Sequence, residues 1–209
     1  MLTEQSYRLT VLDIVEETVD ARTIVLDPGE HAADFGYRPG QFLTVGIPSD
    51  QTGIAARCYS LSSSPHEPGP LAVTVKRTVD GFASGWLTSE LKVGDSLQVL
   101  PPAGIFTPAS LDADLLLFGG GSGVTPIISI ARNALAVGTG RVVVFYANRD
   151  ETSVIFADEW TALASEHPER LLVVHWLESV QGLPSQAQLK RSPRSTSTST
   201  RSSAVRPRS

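Results

Sequence analysis

The chain of 209 residues has room for one large domain or two small ones, and its 41% hydrophobic and 19% charged residues are the ordinary makeup of a globular protein. A net charge of −5 gives no overall attraction to nucleic acid or to an anionic membrane. A single cysteine, Cys58, excludes a disulfide framework, a cysteine zinc cluster and a cysteine-held iron–sulfur centre. No apolar run is long enough to span a bilayer, and Glu4, Arg8 and Asp13 interrupt any leader-like segment, so the expected location is the cytoplasm.

From Tyr7 to about Leu100 the pattern is that of strands. Tyr7, Leu9 and Val11 alternate, Thr23–Leu26 is rich in β-branched residues, and Phe42, Val45 and Ile47 mark a third segment. Ala72–Val75 and Ser96–Leu100 repeat the signal, with Gly, Pro and Asp between. Short strands at this spacing predict an antiparallel barrel over residues 1–109. Within it, Arg57-Cys58-Tyr59-Ser60 places a planar cation suited to a diphosphate two residues from a ring able to cover a flat heterocycle. Alternation puts Arg57, Tyr59 and Leu61 on one face and Cys58, Ser60 and Ser62 on the other. The same residues could simply decorate a barrel strand. Gly81–Leu91 reads as a helix whose Gly-x-x-Ser-Gly opening lets main-chain amides approach an anion, or else as a plain crossover over the barrel end.

After Pro108 the period changes. Leu115–Phe118 is a continuous apolar run that leads into Gly119-Gly120-Gly121-Ser122-Gly123-Val124-Thr125-Pro126. Ile127, Ile130, Ala131, Ala134 and Leu135 then follow at helical spacing. Arg141–Ala147 is a second buried strand, Phe156, Trp160 and Leu163 mark a helix, and Leu171–Trp176 is a third strand. Such alternation predicts a doubly wound parallel sheet over residues 110–190. The glycine loop ends a strand and opens a helix, with Pro126 where a dinucleotide fingerprint would carry its third glycine. Arg149 follows the second strand, where it could meet a nucleotide or pair with Asp150 or Glu151. Glu178 follows the third.

Arg57-x-Tyr59-Ser60-x-x-Ser63 resembles the flavin motif of the ferredoxin–NADP reductase superfamily. Val75-Lys76-Arg77 with Gly81–Gly85 is similar to that family's second FAD segment, and Gly121-x-Gly123-x-Thr125-Pro126 to its nicotinamide loop. Within the family the chain looks most like the branch of reductase components serving 3-ketosteroid 9α-hydroxylase and phenylacetyl-CoA epoxidase. The resemblance implies an N-terminal antiparallel FAD barrel followed by a doubly wound α/β domain that is incomplete at its C-terminus. It implies contacts to FAD from Arg57, Tyr59, Ser60, Val75, Lys76, Ser84, Gly85 and Thr125. Gly121, Ser122, Gly123, Pro126 and Arg149 would serve the pyridine nucleotide, with Tyr59, Ser60 and Thr125 nearest the reacting atoms. Hydride would pass from NADH to FAD and electrons onward to a [2Fe–2S] protein or oxygenase component. NADPH is disfavoured because Glu178 would repel a 2′-phosphate. No iron–sulfur cluster in this chain, no nucleic acid and no membrane partner are expected.

From Arg191 the sequence departs from that pattern: five arginines, many Ser and Thr, no acid and no aromatic predict a disordered tail over 191–209. The family's Cys-Gly-Pro turn and closing strands are missing, which predicts an unpaired inner sheet edge. It also leaves a second reading open, a truncated remnant that binds FAD without turning over NADH.

Overall fold

A computed structural model of the protein describes residues 6–49, 52–67, 69–186 and 188, with the main chain of 200–203. Six antiparallel strands make the first domain: β1 (Tyr7–Thr18), β2 (Ala21–Asp27), β3 (Phe42–Ser49), β4 (Gly53–Ser60), β5 (Leu71–Lys76) and β6 (Ser96–Ala103). Their order is β4-β3-β6-β1-β2-β5. The two end strands meet through one bridge, Leu61 against Val73, so the sheet rolls into the predicted barrel but closes at only one rung. Alternate residues from five of the strands fill it, among them Leu9, Ile24, Leu43, Val45, Val73 and Val99, with Tyr59 of β4 packed against them. Helix α1 (Phe82–Ser89) covers one end with Ala83 and Leu87. The 3-10 turn Gly29–Phe35 has no counterpart in the sequence reading. It is too short for periodicity to reveal, and it exists because Phe35 packs edge-on against Tyr7, ring centroids 5.3 Å apart.

The second domain follows the predicted alternation: β7 (Leu115–Gly120), α2 (Thr125–Val137), β8 (Val142–Asn148), α3 (Ala157–Glu166), β9 (Leu171–Leu177) and the short α4 (Glu178–Gln181). The three strands pair in parallel, Leu115 beside Val142 and Val142 beside Leu171. The C-terminal end of α2 leaves carbonyls without helical partners. Arg170, at the start of β9, donates to those of Leu135 and Gly138, and also to the Ala134 carbonyl that the Gly138 N–H caps, at 2.9–3.0 Å, which ties that helix end to the sheet.

The tail corrects one expectation. Residues 200–203, predicted to be unstructured, form β10 (Thr200–Ser203), parallel to β7 from Leu115 to Phe118. A row of free N–H and C=O groups along β7 accepts any extended backbone, whatever its side chains, so the inner edge predicted to stay open is covered there. The remainder of the tail lies outside the described residues.

The domains abut where Gly40, at φ +94, approaches the linker. A Cβ there would sit 1.9 Å from the Phe106 carbonyl oxygen and 3.1 Å from Ile130 Cδ1. Gly40→Ala therefore forces both a left-handed backbone on an L residue and a main-chain clash, and is expected to cost about 3 kcal/mol. Gly29→Ala, at φ +51 with nothing within 4 Å of its Cβ, should cost only about 1 kcal/mol. Urea midpoints of the two variants check the difference.

Candidate functional site

Beyond the Leu61–Val73 rung, β4 and β5 part. The same register would set Tyr59 across from Val75, yet no further bridge forms among the described residues. The seam is where the predicted residues gather. Arg57 and Tyr59 lie opposite Val45 and Leu43 of β3, on the face of β4 toward the barrel interior. Tyr59 is half-buried against the barrel core and Arg57 is exposed at the mouth. Burial raises the Tyr59 hydroxyl above its ordinary pKa, and the positive charge of Arg57 partly offsets this. Arg57 donates only to the carbonyl of Ala56, at 2.8 Å, and no carboxylate claims it among the described residues. Ser60 is half-buried and ends β4 opposite Phe42.

On the other side of the seam stand β5 and α1. Val75, expected to contact FAD, is 1% exposed and packs in the barrel core. The hydroxyl of Ser84, predicted to face a pyrophosphate, is turned inward instead. It accepts from the Thr78 N–H at 3.1 Å and donates to the Gly81 carbonyl at 3.2 Å, closing the turn before the helix. What this segment offers an anion is main chain: no side chain caps α1, and a Cβ at Gly85 would meet nothing within 4 Å.

The glycine loop rests against β5, which brings it to the same seam. Gly121 takes φ +51, and a Cβ at Gly121 or Gly123 would meet open space. Thr125 is buried and donates to the Ser122 carbonyl at 2.9 Å, bracing the loop from within, while Ser122 is exposed. Pro126 occupies the first turn of α2, as its missing N–H permits. At the carboxyl end of β8, Asn148 is buried with both amide atoms unpartnered. Open space over three glycines, an uncapped helix start, an unclaimed guanidinium and an orphaned amide are the features that a dinucleotide would satisfy.

Two predicted cations are occupied differently from the expectation. Lys76 and Arg149, assigned to FAD and to the pyridine nucleotide, both pair with Asp20, at 3.5 and 2.9 Å. Asp150, the local partner considered for Arg149, instead accepts from Thr152 and Ser153. Asp20 sits in the turn between β1 and β2, distant from either cation in sequence, so nothing in the local pattern announces it.

Sequence reasoning also missed how the domains dock. Ser129, Arg132 and Asn133, on one face of α2, hold the Ser62-Ser63-Ser64 run at the end of the flavin motif. Ser129 donates to the Ser63 carbonyl at 2.7 Å, Arg132 to the Ser62 carbonyl at 3.2 Å, and the Ser64 hydroxyl to Asn133 at 3.4 Å. Arg132 also pairs with Glu159 of α3. Burial raises the Glu159 pKa and Arg132 opposes it. A hollow of about 540 Å³ beside the linker, lined in part by Tyr37, Arg38, His66 and Asn133, contains none of the predicted residues.

Known proteins match this arrangement. Residues 8–107 fit the oxidoreductase FAD-binding domain family and residues 117–192 the oxidoreductase NAD-binding domain family. The ferredoxin reductase component of 3-ketosteroid-9-alpha-monooxygenase from Rhodococcus rhodochrous is 61% identical over 186 residues, 88% of this chain and 53% of that protein. The crystal structure of an Amycolatopsis cytochrome P450 reductase aligns with a TM-score of 0.74 at 28% identity, covering 92% of this chain and 60% of that one. Phthalate dioxygenase reductase, described as a modular structure for electron transfer from pyridine nucleotides to [2Fe–2S], aligns at 0.71 with 27% identity, covering 81% and 51%. A flavin barrel joined to a pyridine nucleotide domain is thus the class of protein. The chain belongs to the ferredoxin reductase-type FAD/NAD-binding oxidoreductases, and it spans about half the length of the curated relatives it matches.

Burial opposes ionisation of Asp20, but the Thr18 hydroxyl, Lys76 and Arg149 outweigh it and hold the carboxyl below its ordinary value of 3.8. Its contribution is therefore present above that value and is lost as the pH falls through the depressed one. Asp20→Asn is expected to cost about 1 kcal/mol at pH 7, since Arg149 is largely exposed. Thermal melts should show the deficit closing as the pH drops below Asp20's folded pKa.

Proposed function

We propose that this chain is the flavin and nicotinamide portion of an oxygenase reductase. It binds FAD across the seam, takes hydride from NADH at the glycine loop, and passes electrons to a [2Fe–2S] or oxygenase partner. The observation that carries the reading is the meeting, at one opening, of the Arg57–Tyr59 face, the amide end of α1 and the glycine loop. Its likeness to a steroid monooxygenase reductase supports a partner that hydroxylates a steroid.

When bound, the flavin supplies the exchange between two-electron and one-electron chemistry. The chain's own residues bind, orient and exclude water. Arg57 presents a planar fork to the diphosphate. Tyr59 offers its ring face to the isoalloxazine, fixed at its root by the barrel core. Ser60 and Thr125 bring small side chains to the two flanks of the seam, where they leave room for stacked rings. Gly121 and Gly123 let a nicotinamide ribose approach the main chain without a Cβ between. Beyond β9, Glu178 is exposed at the carboxyl end of the sheet, where a carboxylate tolerates a free 2′-hydroxyl and repels a 2′-phosphate.

Purified protein should be yellow, and anaerobic NADH should bleach it. Protein that never takes up FAD would sink the reading, whereas yellow protein that NADH leaves unbleached would favour the binding-only remnant. Arg57→Ala is expected to weaken FAD binding about 10- to 100-fold, the loss of a charge-assisted phosphate contact, as read by flavin fluorescence. Glu178→Arg should raise affinity for NADPH about tenfold with little change for NADH, as read by equilibrium titration.

A further inference from the structure

The tip of the β1–β2 hairpin belongs to the barrel by sequence but is built into the second domain. Ala21 is 1% exposed and packs in the core of the nucleotide domain. Between Glu16 and Thr18 the pairing of β1 with β2 shifts register, leaving Glu17 as the extra residue of a β-bulge. A bulge bends the strand and re-aims the side chain at that point. Here it sends the Glu17 carboxylate across the domain boundary, where each oxygen takes one donor. Oε1 accepts from the Thr23 hydroxyl at 2.5 Å, and Oε2 from the Phe156 N–H at 3.3 Å.

Phe156 is held at φ +61, a left-handed conformation costly for a bulky residue, at the start of α3. Its neighbour Ile155 donates its N–H to the Tyr146 hydroxyl at 3.1 Å, and that hydroxyl donates to the Gly121 carbonyl at 3.3 Å. Tyr146 is fully buried, and burial keeps its phenol protonated well above the ordinary range, so it remains a donor to the loop. On the other side, the Thr23 hydroxyl lies 2.8 Å from that of Thr74, which donates to Ser62 at 3.0 Å. Ser62 lies within the flavin motif, one residue before its last serine. From Glu17 to the glycine loop the hydrogen bonds run unbroken but for the main chain between Ile155 and Phe156, while on the barrel side Thr23 and Thr74 are in polar contact next to Ser62.

We propose that Glu17 is a positioning residue that sets the glycine loop relative to the flavin face, acting through the 155–156 turn and the Tyr146 hydroxyl on the Gly121 carbonyl. That this loop receives a pyridine nucleotide rests on the function proposed above; the mechanical coupling does not. Lys76 and Arg149, joined by Asp20 in the same hairpin turn, brace the tip from its other side. The carboxylate meets both donors at once, one with each oxygen.

Glu17→Met keeps the length and removes both acceptors, so Thr23 and Phe156 each lose their partner. Amide hydrogen exchange on the full chain tests the coupling without flavin or substrate. The expected result is exchange about tenfold faster at Ile155 and Phe156 and also at Val124 and Thr125, with β3 and β6 unchanged. Faster exchange at the 155–156 turn with the loop at its wild-type rate would overturn the proposal. So would a uniform acceleration through both domains, which would mark Glu17 as an ordinary stabilising residue. Should that variant not fold, Tyr146→Phe removes the hydroxyl that joins Ile155 to Gly121: the loop must quicken while the barrel does not, and an unchanged loop refutes the coupling.

Discussion

Strand pairing between β4 and β5 stops after a single rung, Leu61 against Val73, and the ligand-facing surface of the protein follows from that interruption. Had the ladder continued, Tyr59 and Arg57 would look into a closed barrel filled by Leu43 and Val45. Because the strands part, a face that begins as core at Leu61 becomes half-covered at Tyr59 and open at Arg57. A barrel interior is the most rigid surface a small sheet can offer, so a ring rooted there needs little further ordering to stack on a ligand. The missing rungs leave main-chain groups along both strands free for a ligand to satisfy.

The two domains meet through polar contacts rather than through an apolar seam. Ser129, Arg132 and Asn133 engage the carbonyls and hydroxyls of Ser62, Ser63 and Ser64, while the hairpin tip adds Glu17 and Asp20 from the opposite side. Directional bonds fix the relative orientation of the domains more sharply than nonspecific apolar burial does. Ala21, lodged in the second core, is the exception that anchors the tip. Asp20 has a further consequence. It pairs with both Lys76 and Arg149, two cations that the sequence reading assigns to nucleotides, so these groups already serve the contact between the hairpin and the rest of the molecule.

Much was readable in the chain itself. Alternation in Tyr7–Val11 and Gln41–Ile47 reported the barrel because its inner face must be apolar at every second residue. The run Leu115–Phe118 reported a strand covered on both faces, and the 3.6-residue stripe from Ile127 to Leu135 reported a helix lying on it. Gly121, Gly123 and Pro126 declared a strand-to-helix turn, since each is a local backbone requirement. Such signals survive in one dimension because they depend on near neighbours along the chain.

What tertiary structure decided were pairings between distant residues. Arg149 read equally well as a nucleotide ligand or as a solvated cation, and Lys76 as a flavin contact, until the hairpin delivered Asp20 between them. The Ser84 hydroxyl could face outward in any local reading, but the Thr78 turn takes it inward. Glu17 carries no motif, because its role comes from a bulge in a ladder that exists only once β2 has folded back on β1. The tail's polar composition argued against a packed core, yet main-chain groups along an open edge paired with four of its residues regardless of side chain. Local periodicity thus determined the elements, the resemblance of three short motifs pointed to the class of protein, and long-range hydrogen bonding and charge pairing decided which side chains are already taken within the fold.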